Sequence, residues 1–232
     1  SVDPIVVAQK AIAGLYDNIT TIEIDNYLAE TSASLTVEHP DYSYLAARIK
    51  SNALHKETPG FLIASRLLYE DGLLNEKYYK IIKDNAKVLE SIIDYDKDYH
   101  FDYFALTTLI RAYLLKINNK VVERPQDLWM RVAITVSGQD FNFENIKKTY
   151  SALSKGYYTH ATPTLFNSGL KMQQLSSCFL IGMEDDSIDG IFNTIKDCAL
   201  ISKTAGGIGL HAHNIRASGS VIKSTNGKSN GL

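Results

Sequence analysis

Four consecutive pieces of sequence decide the fold: LSSCFLIGM (Leu175–Met183), DDSIDGIFNTIKDCALIS (Asp185–Ser202), KTAGG (Lys203–Gly207) and IGLHAH (Ile208–His213). The first is an apolar run of strand length, which predicts a buried strand with Cys178 in its middle. In the second, Ile188, Ile191, Phe192, Ile195 and Ala199 recur at helical spacing, with Asp186 and Asp189 placed to cap the helix start. The Gly206-Gly207 pair is expected to end that helix, and IGLHAH supplies a second strand, with His211 and His213 alternating along it. Strand, helix, strand is the βαβ order that opens an α/β domain. The sequel, Arg216 to Leu232, is rich in Gly, Ser, Asn and Lys and is expected to be a mobile loop, disordered or associating through exposed strand edges.

Everything before this unit reads as helical. Asp3 and Pro4 match N-cap and N1 of a first helix, Thr20 with Glu23 forms a capping box for a second, and Asp41 after Pro40 starts a third. In the third, Tyr42, Leu45, Ala46, Ile49 and Ala53 form one apolar stripe. After the Pro59-Gly60 break, helices are expected over Phe61–Tyr69, Glu76–Ile93 and Tyr103–Ala112. YLLKINNKVVE (Tyr113–Glu123) places β-prone residues on both sides of Asn118-Asn119, a hairpin signal. Pro125 and Asp127 begin a further helix through Trp129 and Val132, and another spans Phe143 to Ser154. The fold class is therefore mainly α followed by α/β.

Composition narrows the function. With 24 Lys and Arg against 26 Asp and Glu, mixed along all 232 residues, no basic excess points to nucleic acid. No apolar run approaches a membrane span, and Ser-Val-Asp-Pro is no signal peptide, so the cytoplasm is the expected compartment. Cys178 and Cys198 are the only cysteines, which leaves no disulfide framework and no zinc spacing, and no metal site is expected.

Cys178 has two readings at this level: a small apolar filler of a core gap, or a thiol at a strand end facing a pocket and able to exchange with a second cysteine. Cys198, on a helix, reads as core packing. At the helix start, Asp185 to Ile188 would serve as a plain cap or as a nucleoside site, an exposed carboxylate accepting from ribose hydroxyls. Lys203 and Arg216 would then hold phosphates, although a Lys in a last helical turn commonly just completes the helix dipole. The GGIG run (Gly206–Gly209) follows a helix and precedes a strand, the wrong order for a dinucleotide or Walker loop; close backbone approach to a ligand or another strand accounts for it better.

HATPTLFNSG (His160–Gly169), QLSSCFL (Gln174–Leu180), DDSIDGI (Asp185–Ile191) and LISKTAGGIG (Leu200–Gly209) closely resemble class I ribonucleotide reductase large subunits of the eukaryotic and viral type. The likeness continues through IRASGS, NGKSNGL, YLLKINNKVVERPQ, HPDYSYLAARI and HKET, and so covers the whole chain. It implies a partial ATP-cone over residues 1–58, a reductase helical domain over 59–172, and the first strand-helix-strand of a ten-stranded α/β barrel over 173–232. The implied activity is reduction of ribonucleoside diphosphates to 2'-deoxyribonucleoside diphosphates by thiyl-radical chemistry.

By the same resemblance, Cys178 matches the redox cysteine that forms a disulfide with a second cysteine, and Thr162, Ser177 and Gly207 match substrate contacts. Asp186, Ser187, Ile188, Lys203, Arg216 and Ile222 match the allosteric specificity site, where a (d)NTP lies at the dimer interface. Thr21, Asp25 and Lys56 match the ATP and dATP activity site. The implied partners are the C-terminal remainder of the subunit, a second copy, a small subunit whose metal centre supplies the radical, and thioredoxin or glutaredoxin as reductant. The family's basic N-terminal hairpin, thiyl-radical cysteine, second redox cysteine and radical-path tyrosines are not found in these residues. The expectation is a split or truncated subunit, inactive alone; the alternative is a non-catalytic nucleotide-binding or assembly module.

Overall fold

The structure is a computed structural model and describes residues 2–137 and 141–231. The chain divides into two compact units, one of residues 1–159 with 168–173, the other of 160–167 with 174–232.

The first unit is helical. Asp3 accepts from the Ile5 N–H at 2.9 Å and opens α1 (Pro4–Ile12). The capping box expected at Thr20 and Glu23 is present and opens α2 (Thr21–Ser34), which packs antiparallel to α3 (Asp41–Glu57). Burial on α3 is wider than one stripe: Ala47, Ser51 and Leu54 are buried beside Tyr42, Ala46 and Ala53, because α7 and a 3-10 turn also pack on it. Next come α4 (Phe61–Glu70), α5 (Glu76–Asp84) and α6 (Ala86–Glu90). The single helix expected over Glu76–Ile93 is broken at Asn85, whose φ of -124° and ψ of 21° leave the helical basin. The 3-10 turn at Tyr95–His100 leads to α7 (Tyr103–Thr108), which widens into a π-helical turn at Leu109–Tyr113.

The hairpin falls where it is expected. β1 (Lys116–Ile117) and β2 (Lys120–Val121) flank Asn118 and Asn119 at φ 49° and 64°, the left-handed pair of a tight hairpin turn. After it, α8 (Pro125–Ser137) is buried on every side from Pro125 to Ile134, which makes it the core of the unit, and α9 (Phe143–Ser154) lies along it. Residues 168–173 close the unit, with Asn75 N–H donating to the Gly169 carbonyl at 2.9 Å.

Several polar side chains around α8 are paired, although among the described residues Gln126 Nε2 and Trp129 Nε1 are buried without a hydrogen-bond partner. The Arg124 guanidinium donates to Thr58 Oγ1, to the Thr58 carbonyl and to the His55 carbonyl at 3.0, 2.7 and 3.1 Å, so it satisfies carbonyls left open at the end of α3. Asp127 accepts from the Arg124 N–H at 2.9 Å and from the Tyr95 hydroxyl at 2.7 Å. Burial pushes its carboxyl up to about 8 in spite of those two donors. Ionised above about pH 4 in the unfolded chain, this group binds more protons folded than unfolded up to about pH 8. Its contribution to stability is fully present below the unfolded pKa and is lost as pH rises through the folded one. Urea unfolding at pH 5 and pH 8 should therefore show a loss with rising pH that Asp127→Asn reduces; an unchanged loss in the variant would contradict this assignment.

The second unit begins with α10 (Thr162–Asn167), whose Thr164 hydroxyl and Asn167 amide donate to the Leu175 and Gln174 carbonyls at 3.0 and 2.8 Å. These bonds hold the lead-in to β3 (Cys178–Gly182). β3 pairs in parallel with β4 (Gly207–His211), in the register Cys178 to Gly207 through Gly182 to His211. Between them α11 (Ile188–Ser202) packs on both strands, which completes the expected βαβ unit. A short antiparallel hairpin, β5 (Val221–Ile222) with β6 (Gly227–Lys228), occupies the segment read from sequence as a loop. Among the described residues no helix is long and apolar enough to cross a membrane.

Several local expectations are corrected in this unit. Cys178 is the first residue of β3, not its middle, and the strand is not buried: its exposure alternates, with Leu180 at 95%. Cys198 is half-buried on α11 and does not belong to a sealed core. Ser187, not Asp186 or Asp189, caps α11, accepting from the Gly190 N–H at 3.0 Å. The glycine pair does not end that helix; Ala205 does, in the left-handed region at φ 64°, with the Ala205 and Gly206 N–H groups closing back on the Ser202 and Ile201 carbonyls. Gly206 is needed instead for room, since a Cβ there would lie 2.7 Å from Ile201 Cγ2 and 2.9 Å from Phe179 Cε2. His213 lies beyond β4, and its ring stacks on that of His211 at 4.3 Å.

Candidate functional site

Ser177, Cys178 and Gly207 meet at the start of the parallel pair. The Gly207 N–H donates to the Ser177 carbonyl at 2.7 Å, and Cys178 faces Gly207 in register. The thiol is exposed, with the Ser177 hydroxyl donating to its sulfur at 3.6 Å. A Cβ at Gly207 would stand 3.9 Å from that sulfur and 3.3 Å from the Ser177 carbonyl, so the glycine leaves the space over the thiol open. In this structure Cys178 is exposed and fills no core gap. Thr162 opens α10, the helix that braces Gln174 and Leu175 just ahead of the thiol.

A second cluster forms at the start of α11. The Arg216 guanidinium donates to the Asp186 carboxylate at 2.6 Å and to the Asp186 carbonyl at 3.2 Å, and both side chains are partly exposed. The turn that presents Asp186 depends on Gly190, which is buried: a Cβ there would lie 2.7 Å from the Asp185 nitrogen and 2.8 Å from its carbonyl oxygen. Asn214 donates to the Met183 carbonyl at 2.8 Å and ties the Arg216 segment to the end of β3. Ile222 lies on β5, half-buried. Lys203 is not part of this cluster. It caps the other end of α11, about 22 Å away by helical rise.

The third group is in the helical unit. The Lys56 ammonium donates to the Asp25 carboxylate at 2.7 Å, and Thr21 lies one turn before Asp25 on α2. Among the described residues no three His, Cys, Asp or Glu side chains are grouped to hold a metal ion. Sequence reading missed Thr164, Asn167 and Asn214, whose bonds reach 7 to 31 residues along the chain and leave no local pattern.

Comparison with known families decides the assignment. Residues 99–173 match the model "Ribonucleotide reductase, all-alpha domain", and residues 176–232 match "Ribonucleotide reductase, barrel domain", so the helical-to-βαβ change falls where those two domains adjoin. The chain belongs to the ribonucleotide reductase large-subunit family. It is 52% identical over 241 aligned positions to the ribonucleoside-diphosphate reductase large subunit of Caenorhabditis elegans, covering 100% of this chain and 30% of that protein. It is 49% identical to the large chain of Schizosaccharomyces pombe, again over 100% of this chain and 30% of the relative. The large subunit of Variola virus is 48% identical, over 100% of this chain and 31% of its own length. The chain thus spans about a third of the length of the reductase subunits it matches.

Proposed function

We propose that this chain forms the part of a ribonucleoside-diphosphate reductase large subunit that presents one of two redox thiols to the substrate and carries the binding residues for allosteric nucleotides. The exposed Cys178 sulfur beneath the open face of Gly207 carries the reading. In the overall reaction a ribonucleoside diphosphate and two thiols become a 2'-deoxyribonucleoside diphosphate, water and a disulfide. Cys178 supplies one thiol; its partner and the thiyl-radical cysteine come from the remainder of the subunit, and the radical from a metal-containing small subunit. Thr162, Ser177 and Gly207 hold the substrate, and thioredoxin or glutaredoxin returns the two electrons in the cytoplasm. Residues 1–58 act as a partial ATP-cone in which Thr21, Asp25 and Lys56 contact ATP or dATP, residues 59–172 as the helical domain, and residues 173–232 as the opening of the barrel.

Asp186, Ser187, Ile188, Arg216 and Ile222 take a (d)NTP as specificity effector, and the position of Lys203 supports a site shared by two copies. One nucleotide does not span both ends of α11, but antiparallel pairing of two α11 helices brings the Lys203 of one copy to the Asp186 end of the other. The exposed apolar residues on one face of α11, Ile188 at 71%, Phe192 at 62% and Ile195 at 50%, fit such a pairing, since an exposed apolar stripe marks a contact surface.

The test is reconstitution. The chain alone should reduce no CDP, because its only other cysteine, Cys198, is half-buried on α11. Adding the remaining part of the subunit and a radical-generating small subunit should restore turnover. Measurable CDP reduction by the purified chain alone contradicts the proposal.

A further inference from the structure

The Asp186–Arg216 contact places the two groups best suited to a nucleotide on each other. A carboxylate that would accept from ribose hydroxyls and a guanidinium that would bind phosphate are joined at 2.6 Å, with a second bond from the guanidinium to the Asp186 carbonyl at 3.2 Å. Neither group can serve a ligand fully while the pair persists, because the guanidinium offers Asp186 the donors that a phosphate would use. The pair is also cheap to open, being partly solvated, with side chains 37% and 27% exposed.

We propose that Asp186 and Arg216 lock each other in the nucleotide-free chain, and that a (d)NTP enters by partner exchange, its phosphates taking Arg216 and its ribose hydroxyl taking Asp186. The inference rests on the reading of this cluster as the effector site and adds its regulation. Phosphate alone must displace Asp186 without compensation, whereas a complete nucleotide supplies a donor for the released carboxylate. The lock therefore discriminates against inorganic phosphates and against nucleotides unable to reach Asp186. The Arg216 segment, tethered to β3 through Asn214, is held at the helix start until that exchange occurs.

Inorganic tripolyphosphate isolates the phosphate half of the exchange. Calorimetric titration of the 232-residue chain should show Asp186→Asn binding tripolyphosphate about fivefold more tightly than the unmodified chain, the factor expected for removing one partly exposed ion pair. The same variant should bind dTTP more weakly. Asp185→Asn removes an equal charge from the neighbouring residue, which bonds only the Asp186 N–H, and should leave tripolyphosphate affinity within about twofold. Equal gains in the two variants, no gain in Asp186→Asn, or no tripolyphosphate binding in any form would overturn the lock. Failure of the underlying site reading looks different: Arg216→Ala would then leave dTTP affinity unchanged.

Discussion

Cys178→Ser in a complete large subunit is expected to lower thioredoxin-supported CDP reduction by on the order of 1,000-fold or more, with substrate affinity nearly preserved. Serine keeps the size and a hydrogen-bonding group, so the strand start and the bond from the Gly207 N–H to the preceding Ser177 carbonyl remain. It cannot be oxidised to a disulfide, so the two electrons that replace the 2'-hydroxyl have no source. Members of a catalytic unit that act together lose nearly everything when one is removed. The Ser177 hydroxyl, 3.6 Å from the sulfur, cannot substitute, since it has no accessible redox couple. Steady-state assays with thioredoxin, alongside equilibrium CDP binding, check the split between turnover and affinity. Retention of a tenth of normal turnover would show that the electrons come from elsewhere.

The second large effect concerns stability. Arg131 and Glu123 are 1% and 2% exposed, and the guanidinium donates to the carboxylate at 2.6 and 3.2 Å and to the Ser168 carbonyl at 2.8 Å. Glu123 also accepts from the Leu115 N–H at 2.9 Å, so one ion pair joins the hairpin lead-in, the buried helix α8 and the segment that closes the unit. Arg131→Met leaves the Glu123 carboxylate buried without its cation, and breaking such a pair from one side costs about 3–5 kcal/mol. In the double variant Arg131→Met with Glu123→Gln, no charge is stranded and the Leu115 N–H keeps an acceptor, so more than half of that loss should return. Urea unfolding of the two variants decides the matter: a single-variant loss under about 1 kcal/mol, or a double variant as unstable as the single one, would contradict the pairing energetics.

Features set by neighbours within a few residues were legible from the sequence. The Asp3 cap, the Thr20–Glu23 box and the Asn118-Asn119 turn each depend on contacts at most three residues apart, and each forms as expected. The order helix, then βαβ, was also readable, since period 3.6 and short apolar runs report it directly. Where a local signal competed with packing, the reading slipped. Asn85 interrupts a pattern that looked continuous, its backbone leaving the helical basin between α5 and α6. The Gly206-Gly207 signal was one residue late: Ala205 takes the left-handed position, and Gly206 is small because Phe179 and Ile201 lie over it.

The candidate sites were legible only in part, for a physical reason. An apolar run such as CFLIG does not say whether both its faces are covered, and here alternate residues of β3 stay exposed. Residue types named Cys178, Asp186 and Arg216, and family resemblance grouped them. That Asp186 and Arg216 hold each other across 30 residues, or that Lys203 stands at the far end of α11 from them, required coordinates.

The central claim is that the Cys178 sulfur gives up electrons during turnover, and a single-turnover trap addresses it most directly. A complete large subunit, pre-reduced and freed of external reductant, is allowed one turnover of CDP with its small subunit, then quenched in acid, alkylated and mapped by mass spectrometry. The account predicts one peptide in which Cys178 is joined by a disulfide to a cysteine from the rest of the subunit, in proportion to the dCDP formed, while Cys198 stays alkylated. Product formation with Cys178 recovered as a free, alkylated thiol would contradict it.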